Sequence, residues 1–404
     1  MDARRRGYRR GQRRQLHHRG AHRGGQRQRV RRGGLQRRGV AISSGALLTV
    51  TAAPVASPAQ ARGKIAAAYL HTCAITAANA VACWGHNSSG QIGTGNVAAR
   101  STPYVWTLPE AAASVSAGAT GSCAVTASGN VWCSGSPLNS IVPKQLSGFT
   151  GVRQVAVGQM HTCVLASDAT VWCWGANGAG MLGNGDTAPS AIPVQVQAEF
   201  GGALTGVQTL QAGLTHTCAT LDDYSTRCWG TNTSAQSGAG TAVETPRAHI
   251  VSGATYIDQL ALGGRFSCGY SGESSAVLCW GLALDGSATT NPAPTSVFLY
   301  GPTAVGAGEA MACAIVTNDG EVACWGSGMM GNGNVNENQW TPALVSGLTG
   351  ALAMAGGQGH SCVLRTGGSL VCWGSNSDYQ IGTGDSVART TPTEVIVAGG
   401  FWRP

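Results

Sequence analysis

Fourteen cysteines divide this 404-residue chain into seven like pieces. They pair by spacing: Cys73 with Cys83, Cys123 with Cys133, Cys163 with Cys173, Cys218 with Cys228, Cys268 with Cys279, Cys313 with Cys324, and Cys362 with Cys372. None is left over. Glycine stands two residues after every second cysteine, at Gly85, Gly135, Gly175, Gly230, Gly281, Gly326 and Gly374. Tryptophan lies between them in six copies (Trp84, Trp174, Trp229, Trp280, Trp325 and Trp373), and Ser134 takes its place in the other. First cysteines recur every 40 to 55 residues, a period of blade or solenoid size. A chain built this way is a repeat protein.

The spacing of ten predicts a hairpin. If Cys73 faces Cys83, then Ile75 faces Val81 and residues 76 and 80 close a loop of 77–79. Three-residue hairpin loops favour a left-handed third residue. Asn79, Gly129 and Gly368 suit that position; Ala169 and Tyr224 suit it less well. The two pairs spaced by eleven, Cys268 with Cys279 and Cys313 with Cys324, need an even loop or a bulge. Directly opposed residues lie within reach of a disulfide, and each such bond would close a loop of about ten residues, contributing roughly 2–3 kcal/mol in the chain-entropy account. An even number of regularly paired cysteines suits an oxidising compartment. Reduced thiols packed in a core are the competing reading. Zinc fits less well, because close pairs of the C-x2-C type are missing and only four pairs have a histidine near by.

Each repeat also holds a first strand ending in a small residue and a fourth strand that follows or contains proline. Glycine lies five residues before the first cysteine in six copies (Gly118, Gly158, Gly213, Gly263, Gly308 and Gly357), and Ala68 stands there in the first. Such a glycine either takes positive φ or admits a neighbouring backbone. Between the third and fourth strands of copies one, three and seven runs a Gly-rich loop, as in Gly90-Gln91-Ile92-Gly93-Thr94-Gly95; copies four and six keep fragments of it, and copies two and five lack it. Residues 178–185 match G-x-G-x-x-G, but a phosphate site needs that loop to lead from a strand into a helix, and this one follows a hairpin. It reads as a turn. The expected fold is therefore all-β: a seven-bladed β-propeller of four-stranded antiparallel blades over 62–404. The C-terminal strand is expected to complete the first blade and so close the ring. An open solenoid is the alternative architecture.

Charge is distributed unevenly. Residues 1–38 hold fifteen of the 26 Lys and Arg residues, whereas the chain from Arg62 onward has 11 basic and 17 acidic residues, a balance of −6. The Arg-rich segment 1–38 has too few large apolar side chains for a core and is expected to be disordered. On charge alone it could serve as a nucleic-acid arm, but no nucleic-acid role is expected of the folded domain. Residues 39–61 combine an uncharged apolar run with Ala59-Gln60-Ala61, a small-x-small cleavage pattern, and read as a secretory signal. The run is too short and too rich in Ser and Thr for a stable membrane span. A start placed too early, or twin-arginine export through Arg37-Arg38, would account for the long basic lead.

His-Thr-Cys-x-Leu/Ile, turn, Val-x-Cys-Trp-Gly-x-Asn-x-x-Gly-Gln-Ile-Gly-x-Gly resembles the repeat of the regulator-of-chromosome-condensation family. Residues 69–95, 159–185 and 358–384 carry the match most fully. The resemblance implies a seven-bladed propeller, and the paired cysteines are similar to those of exported bacterial members, also described as alpha-tubulin-suppressor-like. It also implies two functions: nucleotide exchange on a small GTPase, and inhibition of β-lactamases through loops on one face. Fold alone selects neither.

Little in the sequence points to chemistry. His71, His161, His216 and His360 each precede a first cysteine by two and so share its sheet face. Four copies around a ring read as a repeated structural hydrogen bond rather than a catalytic base. The six tryptophans read as inter-blade packing, and Asp222-Asp223 as turn residues. No catalytic residues, cofactor or metal are expected. The leading expectation is a monomeric, secreted or cell-envelope bacterial scaffold that binds a protein or glycan through loops departing from the repeat, at 137–142, 198–205, 282–291 and 329–340. Enzyme inhibition and guanine-nucleotide exchange are the alternatives.

Overall fold

The computed structural model describes residues 38–43, 46–51, 63–335, 338–395 and 402. The chain divides into two units, Met1–Pro54 and Val55–Pro404. In the first, Arg38–Ser43 pairs antiparallel with Ala46–Thr51. Most of the Arg-rich segment and the proposed cleavage site at 59–61 lie outside the described residues.

The second unit is all-β, built from seven four-stranded antiparallel sheets. Blade one runs through Ile65–Ala67, His71–Ile75, Val81–Gly85 and Arg100–Val105, hydrogen-bonded in that order. The central hairpin has the register that its spacing predicts. Cys73 opposes Cys83 and Ile75 opposes Val81; Thr76 N–H donates to Ala80 O at 2.9 Å, leaving 77–79 as the loop. The third loop residue is left-handed in all five copies of spacing ten: Asn79, Gly129, Ala169, Tyr224 and Gly368. In the two wider copies the last strand pairs are Ser271 with Ala276 and Val316 with Glu321, so both turns are even, four-residue loops.

The same direct opposition recurs at the cysteines of every blade. All seven pairs form disulfides: Cys73 to Cys83, Cys123 to Cys133, Cys163 to Cys173, and Cys218 to Cys228 among the first four blades. Cys268 to Cys279, Cys313 to Cys324, and Cys362 to Cys372 complete the set. Their Cα–Cα separations are 4.0 to 4.1 Å. The wider spacing of Cys279 and Cys324 from their partners is taken up by the turn, not by the bridge. No cysteine remains as a free thiol, so the reading of reduced thiols packed in a core does not describe this structure.

Burial ranks the strands. The seven first strands line a central cavity of about 390 Å³. The fourth strands lie outermost and are largely exposed, Arg100–Val105 among them. Second and third strands such as His71–Ile75 and Val81–Gly85 are buried throughout, because a neighbouring blade covers each face of the sheet. Period-two alternation then decides which neighbour a residue meets. Cys73, Ile75, Val81 and Cys83 pack with Ala112, Val115 and Ala124 of blade two. Ala74, Ala82 and Trp84 point the other way, onto Leu352, Leu364 and Ile381 of blade seven. The hydrophobic core is thus seven clusters, one at each blade boundary.

The ring closes differently from the sequence-based expectation. Arg389–Glu394, the last strand, pairs with Leu370–Gly374 of its own blade, and blade one is complete without it. The chain enters each blade at its innermost strand and leaves at its outermost. The repeat therefore cuts the ring between blades, and among the described residues of this unit no strand is left over to exchange. Side chains and loops hold the seam instead. Gln358 N–H donates to Tyr69 O at 2.8 Å, Trp402 bridges to Thr76, and the Trp402 ring sits 5.4 Å from that of Trp84.

Candidate functional site

The histidines occupy blade boundaries. His71 Nε2 lies 2.7 Å from Ser122 Oγ, His161 Nε2 2.8 Å from Thr217 Oγ1, His216 Nε2 2.8 Å from Ser267 Oγ, and His360 Nε2 2.9 Å from Thr72 Oγ1. In each case the partner is the hydroxyl just before the first cysteine of the next blade. Two of these hydroxyls have already committed their proton: Thr72 donates to Gln380 O at 2.9 Å and Ser267 to Gln236 O at 2.7 Å. His360 and His216 must then donate through Nε2–H. Both carbonyls belong to the Gly-rich loop of the blade that supplies the histidine, so each relay ties two blades together. Blade six substitutes sulfur, with Ser361 Oγ–H directed at Met311 Sδ. At blade five the residue is Phe266, and its counterpart in the next blade is Ala312, which carries no hydroxyl.

The tryptophans lie at the opposite face of each blade. Trp84 Nε1–H donates to Gln380 O, and Trp229 Nε1–H to Met181 O, both in the preceding blade's Gly-rich loop. Trp174 donates to Pro137 O of blade two. Trp280 and Trp373 lie against Gly238 and Gly331 of the preceding blades, and Trp325 packs in the cluster between blades five and six. Where Ser134 replaces tryptophan, Trp106 of blade one turns back and bonds Ile92 O, covering the same loop. A buried asparagine knits this loop in four blades. Asn87 accepts from Ile92 N–H and donates to Asn96 O and Ala98 O; Asn177, Asn232 and Asn376 repeat the pattern. These asparagines stand in the repeated phrase, but their spacing alone assigns them no role.

The sulfurs offer no reactive site. Cys133, Cys173, Cys228, Cys324 and Cys372 are fully buried on the third strands, and Cys279 alone among the third-strand cysteines is partly buried. Thiol exchange needs an accessible sulfur, so these bridges act as staples.

The glycines five residues before the first cysteine serve close approach. A Cβ on Gly213 would lie 2.7 Å from Gly263 O, one on Gly308 2.6 Å from Gly357 O, and one on Gly357 would run into Ala68 O. Five of the six let the next blade's backbone in at the narrow mouth of the channel, whereas at Gly263 the Phe266 ring of the same blade takes that space.

Such a ring offers two faces. Its loop face carries the turns between first and second strands and the loops between third and fourth. Its turn face carries the hairpin turns and the connections to the next blade. Of the four expected contact segments, 137–142, 282–291 and 329–340 lie on the loop face and 198–205 on the turn face. Residues 336–337 lie outside the described residues. Pro137 fills the space beside Gly121 and accepts from Trp174, so part of 137–142 is structural. The segments in blades five and six meet where the Trp340 indole covers Gly286. The turn face bears exposed aromatics at three consecutive connections: Phe200 (95% exposed), Tyr256 (46%) beside Tyr224 (60%), and Phe298 (77%) beside Tyr300 (76%).

Burial pushes His161 and His360 down to about 4, and His71 and His216 to about 3 with a further contribution from neighbouring imidazoles. These rings are neutral and sealed between blades. Asp222-Asp223 occupies the hairpin turn of blade four; Asp223 accepts from Ser225 N–H and Oγ–H, which lowers its pKa. Among the described residues, no three His, Cys, Asp or Glu side chains are placed to hold one metal ion, and no helix is long and apolar enough to cross a membrane.

Known proteins resemble this chain in both sequence and shape. Models of the regulator of chromosome condensation (RCC1) repeat match residues 64–91, 152–180, 353–380 and 168–220. The Ultraviolet-B receptor UVR8 of Arabidopsis thaliana is 25% identical over 353 residues, covering 82% of this chain and 69% of the receptor. The crystal structure of human WBSCR16 superposes with a TM-score of 0.69 at 20% identity, over 80% of this chain and 96% of that one. Yeast RCC1 (Prp20), seen bound to Kap60, gives 0.69 at 16% identity over 89% and 91%.

Proposed function

We propose, from the premise that this chain is an RCC1-like repeat protein, that it is an exported, non-enzymatic scaffold binding a protein partner through the variable part of its loop face. One observation carries the reading. Blades one, three, four and seven build the loop after their third strand around a buried asparagine, whereas blades two, five and six have Pro137, Ala283 and Gly328 at that position. In blades five and six the rebuilt loops adjoin, and Trp340 stays 40% exposed between them. An accessible tryptophan at a junction of two loops is the kind of anchor that dominates protein interfaces.

Other features support the same reading. The four repeated histidines and six repeated tryptophans hold the ring together, and those histidines lack the exposed, tunable imidazole that acid–base work needs. Seven disulfides suit an oxidising compartment, in keeping with the signal read in 39–61 and a bacterial extracytoplasmic location. The yeast neighbour is itself seen bound to a protein, Kap60.

The test is capture of partners from the extracellular fraction by the oxidised chain, compared with a variant whose 282–291 and 329–340 loops carry the blade-one sequence. Loss of the captured protein is expected. Equal capture by both, or capture of glycan alone, overturns the assignment. Intact mass before and after reduction reports on export and oxidation together: a mature chain beginning near Arg62 that gains two hydrogens per disulfide is the expected result.

A further inference from the structure

On the turn face, remote from the loops just discussed, lies an aromatic pair with unusual backbone. Tyr224 and Tyr256 stack with ring centroids 4.8 Å apart and 27° between planes. Both are left-handed, at φ of 63° and 55°, a conformation that bulky side chains rarely adopt. Tyr256 N–H donates to Tyr224 O at 3.0 Å, so the two rings are held together by their own backbones. A stacked pair that keeps its outer faces in water is available to a partner.

The surroundings are acidic. Asp222 and Asp223 precede Tyr224 in the same exposed turn. Asp258 follows Tyr256 by two and accepts from Gly272 N–H at 2.7 Å, and Gly272 is followed by the exposed Glu273 in the next blade's turn. Asp223 and Asp258 already cap their turns, so the charge is fixed in place rather than mobile. Two cations stand near by: Arg227 faces Glu199 at 3.9 Å, and Arg153 is held by Val207 O, in the connection that Asp222 N–H also bonds. Aromatic π-faces rimmed by carboxylates attract a planar cation that can stack on the ring while its N–H groups reach acids.

We propose that the Tyr224–Tyr256 pair, with Asp222 and Glu273, is a docking site for an arginine-containing extended segment of a protein partner. The guanidinium stacks on the exposed tyrosine face and the carboxylates set its register. Phe200 and the Phe298–Tyr300 pair, at the connections on either side, would take the apolar residues that flank the arginines. A neutral glycan would gain the stacking but nothing from the carboxylates, so the charge pattern favours the cationic segment. This inference concerns a different face from the proposed loop surface, and the two can fail separately.

The test uses the oxidised full chain and two fluorescein-labelled nonapeptides, one alternating Arg with Ser and the other alternating Gln with Ser. Fluorescence polarisation at low salt should show saturable binding of the Arg peptide and none of the Gln peptide. Tyr224→Asn, which suits the left-handed backbone and should fold, is expected to weaken binding about tenfold, between the values for an exposed and a desolvated cation–π contact. The surface double variant Asp222→Asn with Glu273→Gln should weaken it similarly, so the conclusion does not hang on one variant folding. Replacing loop 282–291 should leave binding unchanged. Equal binding of both peptides, no binding of the Arg peptide, or affinity indifferent to both variants overturns the proposal.

Discussion

His360 in the last blade donates through Nε2 to Thr72 Oγ1 in the first, 288 residues away, at 2.9 Å. Thr72 donates its own O–H to Gln380 O, back in the last blade. This relay, with the core cluster around Trp84 and Leu364, does at the seam what strand exchange does in other closed rings.

Coupling between His360 and Thr72 can be measured by a double-mutant cycle. Thr72→Ala or His360→Phe alone leaves a buried polar group without its partner, at an expected cost of about 1–3 kcal/mol. Combining His360→Phe with Thr72→Ala recreates the Phe266 and Ala312 arrangement of blades five and six and should cost less than the two single changes added together. Additive urea-unfolding free energies would refute a direct relay.

Acid should loosen the ring well before it protonates carboxylates. The four repeated histidines have folded pKa values of about 3 to 4, below their ordinary value, and burial lowers that of His249 as well. Between pH 6.5 and that range the unfolded chain binds protons that the folded ring refuses. Stability is therefore fully present above pH 6.5 and is lost as pH falls, by up to ~1.4 kcal/mol per pH unit for each histidine. Urea midpoints at pH 7, 6 and 5 should drop steadily, and His161→Gln should flatten the slope. A midpoint constant from pH 7 to 5 contradicts this account.

Gly357→Ala should strain the seam from inside the channel. Its Cβ would run into Ala68 O and the His360 ring, and overpacking of that kind costs about 1–3 kcal/mol. Gly148→Ala is the control: a Cβ there meets nothing, although its φ of 86° still carries a strain. Thermal melts showing no larger loss at Gly357 than at Gly148 would remove the close-approach explanation.

Ala169 adopts φ of 63° at the third position of its hairpin loop. Ala169→Gly relieves left-handed strain of about 1–2 kcal/mol and gives back roughly 0.5–1 kcal/mol in unfolded-state entropy. A modest net rise in melting temperature is expected. A fall would mean that the methyl group makes contacts outweighing its strain.

How much was legible follows from the range of each constraint. Strand number and hairpin register could be read because cysteines ten apart and glycine two beyond them act within one turn of chain. Even the left-handed residues Ala169 and Tyr224 follow from that spacing, against their own preference, because disulfide and register leave the third loop position no other geometry. The histidine relay was half legible. Period two placed each histidine on its cysteine's face, but the partner lies one repeat onward, and the matching of His with hydroxyl and Phe with Ala shows only when each copy is read against the next. The buried asparagines were visible as a pattern whose purpose, satisfying loop carbonyls nine and eleven residues away, appears only in three dimensions.

Seven repeats, their central hairpins and the pairing of their cysteines can be read from the chain alone, because local spacing and two-residue alternation act before any blade meets another. Tertiary structure decided how the ring closes, which mouth the glycines narrow, and which segments share a face. Those outcomes depend on where the chain enters and leaves each sheet, and on carbonyls and rings that only the neighbouring blade supplies.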